Sequence, residues 1–150
     1  MGESPAISEE VLRQLARAIP HFSFLGAEIV KIKKGFTSIK LPWKEEFIGD
    51  PISKNINPGV LYSLLDTAGG LATYSAIVEL MQVATLDMHV DHLFSATVGL
   101  PIIANATCYH MTKKIAFVRI TASQENNNAF AVASANFMLR SSPLVKPRGK

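Results

Sequence analysis

A chain of 150 residues fits one domain and can bury a substantial core. Hydrophobic residues make up 48% and charged residues 18%, and of the net charge of +3, three basic groups, Lys146, Arg148 and Lys150, crowd the last five positions. Without them the balance is near neutral, so no nucleic-acid footprint is indicated, and the single cysteine excludes a disulfide framework within the chain.

In chain order, the first ten residues are polar and acidic and lack the charged start and apolar run of a signal peptide. No apolar run approaches a membrane span, and the reading is of a soluble, cytoplasmic protein. Ser8 to Ala18 patterns as a short amphipathic helix, with Ser8 as N-cap and Glu9 and Glu10 in its first turn, ended by Pro20. Phe24 to Ile32 and Phe36 to Leu41 alternate as two strands about a Lys33-Lys34-Gly35 turn. Pro42 to Asn55 is a loop. Asn57 is a good N-cap and Pro58 a good first residue for a long helix running to about Met81. Thr85 to His92, Ile102 to Met111, Ile115 to Thr121 and Phe130 to Leu139 give four further strands, with turns at Lys113-Lys114 and Asn126-Asn127-Asn128. Residues 1–7 and 141–150 pattern as flexible tails of a single domain spanning 1–150.

Helix, two strands, long helix, four strands is the order of an antiparallel α+β sheet of about six strands curled around one helix. One face of that sheet needs a cover, and charged residues are few. Both features point to a homodimer or a tetramer.

Within the long helix, Asp66 sits among leucines and small residues, where a lone carboxylate is costly to bury unless it is paired or used. Tyr62, Asp66, Gly69, Gly70 and Thr73 form one stripe, narrow at its glycines, and Tyr62, Gly69 and Gly70 are candidates to contact a substrate. Desolvation in such a pocket would raise the Asp66 pKa toward neutrality.

Other constellations are weaker. His89 and Asp91 share a strand face while His92 points the other way, so three metal ligands do not converge and no metal is expected. His21 and His110 stand without an acid at useful spacing and read as surface or loop residues. Cys108 reads as a small buried hydrophobe. Asn105-Ala106-Thr107 matches a glycosylation sequon but lies in a strand.

The segments LGAEIVKIKKGFTSIKLPWKEEFIGDP, NPGVLYSLLDTAGGLA, TLDMHVDHLFSA and AFAVASANFML, in this order over residues 24 to 140, resemble the PaaI-type thioesterases of the hotdog superfamily. The resemblance implies a hotdog fold and an acyl-CoA thioesterase whose sites form between two subunits. It implies no cofactor; coenzyme A is part of the substrate. In that family a helix-start motif His-Gly-Gly precedes by nine residues an acid that activates water or attacks the thioester. The first glycine's amide polarises the carbonyl, a loop Asn assists, and a strand Ser or Thr orients water.

Carried over by position, the acid is Asp66 and the strand hydroxyl Thr85. The loop position holds Asp50 where Asn is commoner, the motif His is Asn57, the first glycine is Pro58, and Gly59 matches the second. Proline has no amide hydrogen, and loss of one oxyanion donor costs on the order of a hundredfold in rate, ~3 kcal/mol. The Gly59 amide or the Asn57 side chain could replace it. An acid at Asp50 would add a second negative charge, and if both acids share the site one pKa of the pair should rise. Lys113 and Lys114 could hold coenzyme A phosphates, with Arg119 and Arg140 as weaker candidates. The alternatives are a hotdog protein that binds an acyl-CoA without turnover and a hotdog dehydratase, which would want a His in the site.

Overall fold

The computed structural model describes residues 5–125 and 128–141. The expected turn residues Asn126 and Asn127, and the tail segments 1–4 and 142–150, lie outside the described residues.

Helix α1 (Glu9–Ala18) starts as its sequence requires: the Ser8 side chain accepts from the Val11 amide, and Arg13 pairs with Glu9 one turn earlier. Leu12 and Ala16 are fully buried beneath it. Ile7, counted with the N-terminal tail on sequence grounds, is buried in the same core at 8% exposure. Pro20 does more than end α1. It opens a second short helix, α2 (Pro20–Leu25), closed by Gly26 at φ 71. The strand expected from Phe24 therefore begins only at Glu28, because Phe22 and Leu25, three residues apart, are buried together on one helical face.

Strands β1 (Glu28–Lys33) and β2 (Phe36–Leu41) form a hairpin, and a 3-10 turn at Glu45–Phe47 follows. Helix α3 (Pro58–Ala76) then leads to β3 (Gln82–His92), β4 (Ile102–Met111), β5 (Ile115–Ser123) and β6 (Ala129–Arg140). All neighbours are antiparallel in the order β1-β2-β4-β5-β6-β3. This is the hotdog arrangement, and α3 packs against every strand of the sheet.

The helix ends five residues before the expected Met81. Ile77 turns extended (φ −85, ψ 153) and is buried, while Gln82 and Val83 pair with Arg140 and Leu139 of β6. Residues 77–81 form the bend that carries the chain from α3 to the first paired residue of β3. β5 and β6 likewise extend past their expected ends by one or two residues, where ladder partners exist.

The interface between α3 and the sheet is apolar, and its polar groups are satisfied. The buried Thr37 hydroxyl of β2 donates to the Ala68 carbonyl of α3 at 2.8 Å, and Thr73 donates to Gly69 at 3.0 Å. On the opposite sheet face the Arg119 guanidinium lies 5.0 Å from the Tyr109 ring centroid, and His110 packs on Phe117. Cys108 is half-buried, and burial pushes its thiol pKa up. Among the described residues no helix is long and apolar enough to cross a membrane.

Candidate functional site

A cavity of about 340 Å³ opens over Asp66. Its α3 wall is Ser63, Asp66, Thr67, Gly70, Leu71 and Tyr74; Val83 and Thr85 come from β3, Phe137 from β6, and Leu15, Ile19 and His21 from the N-terminal helices. The lining face of α3 is thus rotated from the expected stripe, although Asp66 and Gly70 belong to both. Gly69 and Thr73 turn into the sheet and are buried. Tyr62 is exposed, with its ring 6.3 Å from that of His92 at the end of β3, and does not line the cavity.

Gly69 is a packing position, buried between α3 and the sheet. A Cβ there would lie 2.7 Å from Phe137 Cζ and 3.1 Å from Ile120 Cδ1. The missing side chain lets the Phe137 ring, 1% exposed, seat against the helix and form the cavity's inner wall.

Asp66 and Thr85 meet. The Thr85 hydroxyl donates to Asp66 Oδ1 at 2.6 Å. Simple alternation would put Thr85 on the outer face with Asp87, His89 and Asp91, and Leu86 on the inner face with Met88 and Val90. The ladder shows why it is otherwise. Thr85 pairs with Phe137 and Asp87 with Asn136, so a bulge at Leu86 changes the face between them. Thr85 shares the inner face with Phe137, while Asp87 turns outward and accepts from Asn136 Nδ2 at 3.0 and 2.9 Å. Beyond the bulge, His89 pairs with Asp91 at 3.0 Å on the outer face, and His92 lies on the other face against Tyr62, as alternation requires.

The α3 start removes one of the two expected rescues and leaves the other. Asn57 Oδ1 accepts from the Gly59 amide at 2.8 Å, and the Asn57 carbonyl accepts from the amides of Val60 and Leu61. Pro58 has no amide hydrogen. The Gly59 amide is therefore committed to the cap and is not a free oxyanion donor; what remains at this end is the Asn57 side-chain NH₂. Asn57 and Gly59 line a second cavity of about 250 Å³ with Phe24, Leu25, Phe47 and Val60. His21 and Ser63 border both cavities.

Asp50 does not join Asp66 within the chain. Its carboxylate accepts from the Ile52 and Ser53 amides, both at 3.1 Å, and from the Ser53 hydroxyl. These bonds, the hydroxyl first, hold its pKa below the ordinary carboxylate value instead of raising it. The loop it braces positions the start of α3: the Gly49 amide donates to Asn55, the Asn57 amide donates to Phe47, and a Cβ on Gly49 would lie 2.7 Å from Asn57 Cα.

Lys113 and Lys114 are exposed in the β4–β5 turn and border none of these cavities. The Lys114 carbonyl accepts from Leu139, which pairs with Val83. The turn thus lies at the Val83–Thr85 end of the sheet, two strands from β3, or roughly 10 Å. Arg119 is held over Tyr109 on the outer face, and Arg140 pairs with Gln82 at the end of β6.

Sequence reasoning missed His21, Ser63, Thr67 and Tyr74. The three on α3 were legible in principle, lying three residues before and one and eight after Asp66. For His21, 45 residues before Asp66, no local signal exists.

The family description "Thioesterase superfamily" matches residues 53–131, more than half of the chain. A curated protein of Halobacterium salinarum described as a candidate esterase is 34% identical over 74 residues, covering 47% of this chain. The chain matches about half (49%) of that relative's length. A thioesterase structure from Haemophilus influenzae superposes with a TM-score of 0.79 at 23% identity, covering 99% of this chain and all of that one. The PaaI protein of the Escherichia coli phenylacetic acid degradation operon gives 0.71 at 19% identity, covering 87% and 97%. A Streptococcus mutans protein bound to acetyl CoA gives 0.68 at 18% identity, covering 75% and 87%. The three structures share the fold, and by the match over residues 53–131 the chain belongs to the thioesterase superfamily.

Proposed function

We propose that this protein hydrolyses an acyl-CoA thioester, with Asp66 as general base or nucleophile. The observation that carries the reading is the 2.6 Å hydrogen bond from Thr85 to Asp66 in a cavity walled by Leu71, Val83 and Phe137. The Thr85 hydroxyl fixes one carboxylate oxygen and leaves the other for water. As a base, Asp66 takes a proton from water while the water oxygen bonds the carbonyl carbon. The C–S bond then breaks, and the thiolate recovers the proton, giving acid and thiol. As a nucleophile, Asp66 displaces the thiolate first, and water hydrolyses the resulting anhydride. Leu15, Ile19 and Phe137 suit an acyl or aryl-acyl group. Lys113 and Lys114, at the same end of the sheet as Thr85, suit coenzyme A phosphates.

A thiol-release screen over short, long and aromatic acyl-CoAs tests this beside the Asp66→Asn variant. Removing the hydroxyl alone, Thr85→Val, should lower kcat about 10- to 100-fold, the worth of one hydrogen bond to a charged group, while Thr85→Ser retains most activity. Equal rates for Val and Ser would remove Thr85 from the mechanism.

The second reading, binding without turnover, draws on the α3 start, which offers no uncommitted backbone amide. Tight saturable binding of acyl-CoA with no thiol release would favour it. His21 also supplies the imidazole that the dehydratase reading lacked, so the screen includes hydration of a 2-enoyl-CoA.

The active assembly we propose is a homodimer joined along β3, with further packing to a tetramer. β3 is an edge strand with one backbone side unpaired, and exposed edges of this length are normally covered. Val78, Leu80, Leu86, Leu93 and Phe94, all exposed, lie on or beside it. Sedimentation at micromolar concentration should show at least twice 16.3 kDa. A dominant monomer would end this proposal.

A further inference from the structure

We propose that His21 donates the hydrogen bond to the thioester carbonyl oxygen that the α3 start no longer gives; this rests on the thioesterase reading above. Few hydrogen-bond donors at the α3 start are uncommitted. Pro58 has none, Gly59 is taken by Asn57 Oδ1 at 2.8 Å, and Val60 and Leu61 are taken by the Asn57 carbonyl. The side-chain hydroxyls that line the cavity beside Asp66 are committed as well. Ser63 donates to the Gly59 carbonyl at 2.9 Å, Thr67 to the Ser63 carbonyl at 2.8 Å, and Thr85 to Asp66. Tyr74 lies eight residues beyond Asp66, about 12 Å along the helix, at the far end of the cavity.

Position then selects His21. The reacting carbon must lie near Asp66, and Gly59 is seven residues earlier, roughly 10 Å along the axis. Of the two residues that border both the cavity over Asp66 and the cavity at the α3 start, Ser63 has spent its hydroxyl and His21 has not. Among the described residues the His21 imidazole makes no hydrogen bond. Its ring stacks on Phe24, with centroids 6.2 Å apart and planes at 20°, so it is oriented by an aromatic neighbour on the same short helix. The imidazole N–H donates in either protonation state. It gives no proton away: negative charge grows on the carbonyl oxygen as water adds, and the N–H stabilises it there. The Asn57 NH₂, from another residue lining the second cavity, is the companion donor.

The test uses the full chain with His21→Ala and His21→Gln. Loss of one such donor should lower kcat about a hundredfold or more in the Ala variant, with KM changed only a few-fold. Gln, which keeps an N–H, should recover much of the loss. Pro58→Gly supplies a new amide and should raise kcat, most of all in the His21→Ala background.

A binding arm does not depend on turnover. Calorimetry compares a ketone analogue of acyl-CoA, with CH₂ replacing sulfur, and a thioether analogue without a carbonyl. His21→Ala should weaken the ketone far more than the thioether, and the bound ketone's C=O stretch should shift to higher frequency. Unchanged kcat in His21→Ala, with Asp66→Asn inactive, would sink the His21 role and leave the thioesterase standing. Equal weakening of ketone and thioether would make His21 a wall and not a donor. Selective ketone loss without any thiol release would keep the donor and sink the thioesterase. Wild-type protein that binds neither analogue overturns both.

Discussion

Asp66→Asn is expected to lower kcat for the best acyl-CoA substrate by about a hundred- to ten-thousand-fold, the span of general-base catalysis by a placed side chain. The substitution keeps shape and hydrogen-bonding capacity, so Thr85 can still donate to the amide oxygen, and fold and oligomer size should hold. As a general base the carboxylate acts on water and not on the bound acyl group, and in that role its loss should change KM little. Thiol release over a range of acyl-CoAs, with a melting curve beside it, measures this. A variant with near wild-type kcat would remove Asp66 as base and nucleophile alike. The outcome also weighs the two acidic positions. Asp50 has its oxygens turned into its own loop, so Asp50→Asn should leave the chemical step far less affected than Asp66→Asn. Its lowered pKa has a defined consequence. The folded state binds the Asp50 proton less well than the unfolded state, so its contribution to stability is present above the ordinary carboxylate value. That contribution is lost as pH falls through the lowered one.

Gly69→Ala should destabilise the protein, although alanine is the better helix former by up to about 1 kcal/mol. A Cβ at this position meets Phe137 Cζ at 2.7 Å and Cε2 at 2.8 Å inside a filled core, and overpacking of this kind costs about 1–3 kcal/mol. For a chain of this length each kcal/mol lowers Tm by about 2–4 °C. Activity should fall with stability, because Phe137 pairs across the sheet with Thr85, and a displaced ring moves the residue that holds Asp66. Gly70→Ala is the control one residue on. Its Cβ would meet Phe137 Cε1 at 3.9 Å, an ordinary contact, so helix propensity should raise Tm while the cavity narrows slightly. A Gly69→Ala protein that melts at or above wild type would show that the ring moves freely, and the packing argument would fail.

The contrast between these two glycines marks what the sequence by itself determined. Local spacing placed the two strand hairpins, put β4 at Ile102–Met111 to the residue, and named Asn57 as the N-cap of the long helix; the structure has all three. It also singled out Asp66. Those features rest on periodicity, caps and turns, which act over a few residues; Thr85, which meets Asp66, was named by the family resemblance instead.

The tertiary structure decided the rest, through contacts that local spacing does not encode. Which side of α3 faces the cavity depends on Phe137, a residue 68 positions after the glycine it seats against. Alternation aimed Thr85 outward, and the bulge at Leu86, set by pairing with β6, turned it to Asp66. The Gly59 amide was free by the general rule for helix starts and is spent in fact, because Asn57 caps it. His21 looked isolated because its neighbours in sequence hold no acid; packing of α1 and α2 across α3 brings it to the cavity of Asp66. In each case a partner distant in the chain, or the choice of one hydrogen bond among several, settled what the local pattern left open.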